Sequence, residues 1–189
     1  MRKLKLQVVM SVDGYIAGLN GEMDWMVGNW DDKLKEYLKE ITEPVDSIVL
    51  GRKLAEVFIP SWTAALNNPK GAEEGAKKMV ETPKIVFSKT LTKSEWDNTI
   101  LAKGDLVDEI TKLKKQNGGD IIVYGGSGFV SALIKHGLID ELHLLINPTA
   151  IGNGMPIFKE LDTRQNFNLI KAIPFECGIV VLYYEPKPN

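Results

Sequence analysis

The chain has 189 residues, 23 basic and 25 acidic side chains, 44% hydrophobic residues and a formal charge of −2. Such values predict one globular domain over residues 1–189, and they exclude a general field for nucleic acid or an anionic membrane, so any anion site has to be local. Cys177 is the only cysteine, which excludes an internal disulfide and points to a reducing compartment. No apolar run reaches the roughly 18 residues of a membrane span, and no signal-peptide core is visible. A cytoplasmic protein is expected, with no nucleic-acid or membrane partner.

Leu4, Leu6, Val8 and Met10 alternate with Lys5, Gln7, Val9 and Ser11, which predicts a first strand. Asp13-Gly14 turns the chain, and the stretch around Gly18 and Gly21 reads as a flexible loop. Asp31 or Asp32 can cap a helix with the apolar face Leu34, Tyr37, Leu38 and Ile41, closed by Pro44. Ser47 to Leu50 predicts a buried strand running into Gly51-Arg52-Lys53 and a short helix through Phe58. Residues 59–70 read as a loop and Ala72 to Val80 as a polar surface helix. Lys84 to Ser88 predicts another strand, Trp96 to Leu101 a further short one, and Leu106, Ile110 and Leu113 a helix capped near Asp105.

Residues 120–147 carry the most informative pattern. Ile121, Ile122, Val123 and Tyr124 form a short β-branched run that Gly125-Gly126-Ser127-Gly128 stops abruptly. Phe129, Val130, Leu133 and Ile134 then share one helical face, and Leu142, Leu144 and Ile146 start the next strand. Strand, glycine turn, helix and strand make a βαβ unit whose helix N-terminus presents bare N–H groups, the arrangement that binds phosphate. A tight turn without a ligand reads the same way from this segment alone. Phe167 to Ile173 and Ile179 to Tyr184 predict a terminal antiparallel hairpin. The fold class is therefore α/β, a mostly parallel central sheet flanked by helices with an antiparallel edge.

Four stretches in order, residues 11–17, 49–52, 85–89 and 123–126 continuing to 138–142, resemble the dihydrofolate-reductase-like fold. The resemblance is strongest to the branch related to the reductase domain of bacterial riboflavin-biosynthesis enzymes, and it covers about residues 4–185. It implies NADPH as hydride donor, with the pyrophosphate between the helix N-termini after Gly51-Arg52 and after Gly125-Gly126. It also implies a cis peptide between Gly125 and Gly126. Arg52 and Lys89 match positions that neutralise the adenosine 2′-phosphate and a neighbouring phosphate, with Lys53 beside them, and Ser88 would add a hydroxyl. Tyr124, Ser127, Gly128, Phe129 and Val130 complete the implied cofactor site. Val9, Ile16 and Ala17 match positions whose backbone flanks the nicotinamide. The bland reading of Arg52 and Lys89 is solvated surface charge.

The loop from Gly18 to Val27, with Gly28 at its end, would close over nicotinamide and substrate. Asp24 stands before Trp25 where a dihydrofolate reductase has proline, and residues 59–82 are additional and hold no arginine for a folate carboxylate. These departures favour the riboflavin-type branch, whose substrate is a ribosylaminopyrimidine phosphate. Lys53, Lys159 and Arg164 are candidate phosphate partners. Asp24, Asp31 and Asp32 are the candidate acids, although Asp31 and Asp32 also suit helix capping. Asp13 is expected to be structural. Trp25 and Trp30 could stack on a flat heterocycle or belong to the core.

His136 and His143 lack ligand spacing, so no metal is expected. With one cysteine and no His-x-Glu segment, a stand-alone reductase is expected rather than a fusion to a zinc deaminase. The readings are thus an NADPH-dependent reductase of a small pyrimidine-like substrate, a pterin reductase, or a nucleotide-binding sensor without turnover. A Rossmann-type protein fits less well, because no Gly-x-Gly-x-x-Gly turn follows the first strand. The resemblance also implies a homodimer through the hairpin 167–184.

Overall fold

Along β1 (Leu4–Ser11) the two alternating sets of side chains face different helices. Leu4, Leu6, Val8 and Met10 pack with Ile110 of α4 (Leu106–Lys115) and with Val130, Leu133 and Ile134 of α5 (Ser127–Lys135). On the opposite face Val9 packs with Leu34 and Tyr37 of α1 (Asp32–Thr42). A strand buried on both sides needs apolar residues at nearly every position, which is why the central strands read as continuous apolar runs.

The structure is a computed structural model that describes residues 1–70 and 75–187. The remaining elements are β2 (Val45–Gly51), α2 (Arg52–Leu66), α3 (Ala76–Glu81), β3 (Lys84–Phe87), β4 (Thr99–Ala102), β5 (Asp120–Val123), β6 (Glu141–Asn147), β7 (Phe167–Pro174) and β8 (Val180–Pro186). Among the described residues they form one eight-stranded sheet in the order β4-β3-β2-β5-β1-β6-β8-β7. The first six strands of that order are mutually parallel, and β8 and β7 are antiparallel. Helices α4 and α5 cover one face; α1 lies over β6 and β8 on the other, and α2 lies over β2 and β3.

The helix leaving β5 therefore runs on the opposite face from those leaving its neighbours β2 and β1. Such a switch opens a crevice at the C-terminal ends of the strands. Gly51 and the Gly125-Gly126 pair both lie at that edge. No described helix is long and apolar enough to cross a membrane.

Two predicted elements differ. Helix α2 continues to Leu66 with Pro60 inside it, where a loop was expected. Proline in a helix interior costs about 3 kcal/mol, and burial of Ala55 and Ile59 with partly buried Leu54 and Phe58 offsets it. The surface helix predicted from Ala72 is seen as α3; positions 72–74 lie outside the described residues.

The opposite edge of the sheet is held by charge. Arg2, nearly buried, donates to the Gly119 carbonyl (2.6 Å), to Ser47 Oγ (2.7 Å) and to Asp46. Lys5 joins Asp120 (2.9 Å) to Glu141, and Glu141 also takes Lys3 (2.6 Å) and faces His143 Nε2 (3.2 Å). An open hollow of about 560 Å³ at this edge, lined by Val45, Asp46, Lys78 and Pro83, shares no residue with the glycine bends. Burial pushes the Glu141 carboxyl upward, but His143, Lys3 and Lys5 together outweigh it and bring it from 4.5 down to about 2. A carboxylate depressed in the folded state contributes stability above its unfolded pKa and loses it as the pH falls through the folded value. Chemical denaturation is accordingly expected to show stability dropping between about pH 4.5 and 2. Glu141→Gln should be less stable at pH 7 and flatter through that window; an unchanged slope would overturn the assignment.

Candidate functional site

Two helix starts make the site. Strand β2 ends at Gly51, and α2 begins at Arg52 with no side-chain cap and no acid in its first turn. After β5, Gly125 (φ 144°) and Gly126 (φ 81°) swing the chain into α5, again with no side-chain cap and no first-turn acid. Both φ values favour glycine over residues with a Cβ. The expected cis peptide is corrected: no described peptide bond is cis, and the positive φ angles make the bend.

The bends meet. A Cβ on Gly51 would lie 3.0 Å from Phe129 Cβ, in the first turn of α5. One on Gly126 would lie 3.7 Å from Leu54 Cβ, in the first turn of α2, and one on Gly125 3.9 Å from Ile16 Cδ1. Two uncapped helix N-termini, each carrying about half a positive charge, thus open side by side where bare backbone lets an anion come close.

Around this pair the candidate residues sort into distinct environments. Gly51 pairs with Phe87, so Arg52 and Ser88 leave the sheet next to one another. Ser88 is buried; its oxygen accepts the N–H groups of Thr90 (3.2 Å) and Leu91 (3.0 Å), and it lies 3.5 Å from Thr90 Oγ1, where either hydroxyl can donate. Arg52 holds Glu56 at 2.6 Å, while Lys53 and Lys89 are exposed. Gly128 is open, and Phe129 packs on Phe87 with ring centres 5.1 Å apart. The Ser127 hydroxyl donates to the Pro156 carbonyl (2.5 Å), tying α5 to the loop between β6 and β7. Tyr124 stacks on Phe58 of α2 at 5.4 Å, and burial raises its hydroxyl pKa. Val130 is a correction: its side chain is fully buried and its N–H closes the helical bond to Gly126 O (2.9 Å), so it supports α5 without facing the crevice.

Val9 packs in the α1 cluster. Ile16 and Ala17 bracket Met155: Ile16 N–H donates to its carbonyl (3.0 Å) and Ala17 O accepts its N–H (2.8 Å). The Ile16 carbonyl and Ala17 N–H have no backbone partner among the described residues. Asp13 is structural, as expected, accepting from Gly152 N–H (2.7 Å) and Ile151 N–H (3.2 Å). The Ser11 hydroxyl chiefly, then these N–H groups, lower its pKa.

The RibD C-terminal domain family model matches residues 2–181. The chain belongs to that family. It is 34% identical to the uncharacterised Bacillus subtilis protein YyaP, over 97% of this chain and 94% of that one. It is 24% identical to the Corynebacterium ammoniagenes riboflavin biosynthesis protein RibD, over 80% of this chain but 44% of that protein. The fold matches the crystal structure of the Thermotoga maritima diaminohydroxyphosphoribosylaminopyrimidine deaminase/5-amino-6-(5-phosphoribosylamino)uracil reductase with TM-score 0.71 at 18% identity, covering 98% of this chain and 57% of that one. Proteins named for riboflavin biosynthesis are thus among its relatives.

The expected acids do not gather at the crevice as one group. Asp31 is the N-cap of α1: one carboxylate oxygen accepts Leu34 N–H (3.0 Å) and the other Cys177 N–H (3.0 Å). Those bonds lower its pKa, the opposite of what a proton donor at neutral pH needs. Capping replaces the acid role expected of Asp31. Asp32 points fully into solvent beside Lys35. Asp24 is exposed on the loop, Trp25 is partly buried there, and Trp30 packs into the α1 core cluster, which resolves its stacking-or-core alternative in favour of core.

Sequence reading missed Asn147, the fully buried last residue of β6. Its Oδ1 accepts Val27 N–H (2.8 Å), and its Nδ2 donates to the Trp25 carbonyl (3.2 Å) and to Thr149 Oγ1 (3.0 Å). It pins the end of the 18–27 loop to the sheet beside Ser11. Its only sequence signal is an amide ending an apolar strand before Pro148. Removing one partner of buried hydrogen bonds costs about 1–3 kcal/mol, here concentrated on the loop. Asn147→Ala is expected to speed chymotryptic cleavage at Leu19, Met23 or Trp25 several-fold, with little change at the α2 start. Unchanged cleavage would remove the latch.

Proposed function

We propose that the protein is an NADPH-dependent reductase of a small pyrimidine-like substrate, in the manner of 5-amino-6-(5-phosphoribosylamino)uracil reductase. The observation that carries this reading is the contact between Gly51 and Phe129, which brings two uncapped helix N-termini together at the sheet's switch point. A diphosphate needs several N–H donors and close backbone approach, and a side chain at Gly51 would press on Phe129 and disturb the join of the two helix starts. Arg52, Lys53 and Lys89 would hold the 2′-phosphate and its neighbour, with the Ser88 hydroxyl as a further donor. The Ile16 carbonyl and Ala17 N–H would orient the nicotinamide amide.

NADPH, when bound, supplies the hydride. The chain's part is to orient the reactants, to exclude water beneath the 18–27 loop that Asn147 holds, and to admit a proton. Asp24, carried by that loop, is the candidate carboxylate for this role once the loop closes. The capping of Asp31 favours a second reading, a nucleotide-binding sensor without turnover. NADPH titration by calorimetry tests cofactor binding, and NADPH oxidation with aminopyrimidine ribosides and pterins separates the readings. Oxidation with a pterin alone would move the substrate to that class; binding without oxidation would leave the sensor.

Arg52→Ala is expected to weaken NADPH about ten- to a hundredfold and NADH much less, from the roughly 1.5–3 kcal/mol of a charge-assisted hydrogen bond. Because Arg52 already grips Glu56, Glu56→Gln should strengthen NADPH binding. Equal losses for both nucleotides in Arg52→Ala would overturn the 2′-phosphate assignment.

The protein would work in the cytoplasm as a homodimer. β7 is the sheet's outer strand and exposes Leu169 (55%) and Ile170 (45%), a pairing surface that a second copy would cover. Sedimentation at micromolar concentration should give a dimer, and Leu169→Lys with Ile170→Lys a monomer. A monomeric wild-type protein would remove the proposal.

A further inference from the structure

Among the described residues two buried side-chain oxygens have no hydrogen-bond partner, Gln165 Oε1 and Gln7 Oε1, and Gln7 is the one on a central strand. Alternation along β1 puts it on the face of Lys5 and Val9. The register sets it beside His143 of β6 and, one step beyond the Leu6–Val123 pair, beside Tyr124. Both neighbours are occupied. One ring nitrogen of His143 meets the Tyr37 hydroxyl (2.7 Å), the other meets Glu141 (3.2 Å), and its ring lies on Tyr183 at 4.5 Å. Tyr124 is stacked on Phe58. Gln7 Oε1 is buried and faces no donor, although the residue as a whole is partly exposed. Lys5, below it on the same face, is by contrast bonded to Ile41 O, Asp120 and Glu141.

The location gives the orphan a use. Helix α1 packs over β6 and β8 through Leu34 and Tyr37, and α2 packs over β2 and β3 through Ala55 and Ile59. β1 and β5 run between these footings, with Ile122 buried under α2 and Val9 packed towards α1, and the partial exposure of Gln7 and Val9 marks a narrow trough there. Tyr37 stands on one side and Phe58 and Tyr124 on the other, and Val9, two residues along β1 on the same face, lies nearer the C-terminal edge.

We infer that Gln7 is a specificity-determining residue of this trough, its carboxamide pairing with the amide edge of a flat heterocycle. A carboxamide carries one acceptor and one donor side by side in a plane, and an adjacent ring N–H and C=O form the complementary pair. The class is a pyrimidinedione or pterin ring; a simple aldehyde or ketone has no N–H for the orphaned oxygen. The inference rests on the reading that substrate lies in this trough beside a nicotinamide.

The test compares 6-aminouracil with its 1,3-dimethyl derivative, which keeps the ring and loses both ring N–H groups. Binding is read by saturation-transfer NMR on the wild-type chain and on Gln7→Leu, with thermal unfolding and NADPH calorimetry on each. The wild type should prefer 6-aminouracil at least tenfold. Gln7→Leu should lose that preference, bind NADPH as before and melt no lower, because it removes an unpaired buried acceptor. A preference that survives in Gln7→Leu, or a wild type that binds neither ring while binding NADPH, would overturn the inference and leave the cofactor reading standing. A lowered melting temperature with the preference intact would make Gln7 structural, again overturning it. No heat with NADPH but an intact, Gln7-dependent preference would sink the reductase reading and uphold Gln7.

Discussion

The absence of a side chain at Gly51 is the constraint on which the crevice depends. With 3.0 Å between its would-be Cβ and Phe129 Cβ, a side chain there would oblige Phe129 to give by a few tenths of an ångström, loosening the contact between the starts of α2 and α5. The field at a helix N-terminus falls off within about a turn, so separating the two starts would leave two weak anion sites in place of one strong one. Their closeness begins further back, in the pairing of β2 with β5. That pairing inserts the fifth strand between the first and second and brings the two glycine ends to one edge.

The two edges of the sheet divide the work. At the N-terminal edge buried charges are closely paired, Arg2 with Asp46, Lys5 with Asp120, Glu141 with Lys3 and His143. Unpaired charges buried there would cost several kcal/mol each. At the C-terminal edge the groups are left available: uncapped N–H donors and exposed Lys53 and Lys89. A net charge of −2 hides this asymmetry, since the positive character comes from oriented peptide dipoles as much as from side chains.

Local chemistry was legible in the sequence and long-range pairing was not. The period of two along β1 and the glycine stops after Leu50 and Tyr124 mark elements directly, and the resemblance supplied the fold. Nothing near Gly51 says that it will touch Phe129, because that contact depends on strand order. Pro60 misled for the converse reason: the local rule ends a helix there, and tertiary burial of Ile59 and Ala55 overrides it. Asp31 was ambiguous because a cap and an acid use the same residue type. The Cys177 N–H on its second oxygen, which closes the question, comes from 146 positions away.

Two side-chain amides show how burial and pairing together separate roles that composition cannot. Asn147 is fully buried with both ends of its amide engaged, which fixes a loop in place and leaves nothing for a ligand. Gln7 sits on the neighbouring strand with its oxygen buried and unanswered. A frame that satisfies Lys5, Glu141 and His143 on the same face has the means to satisfy one more amide. Leaving it unpaired lowers the stability of the empty protein, and a ligand bearing the missing N–H recovers that energy as affinity. On that argument the trough discriminates by what it withholds: a ring lacking the donor gains contact area but leaves the acceptor unmet.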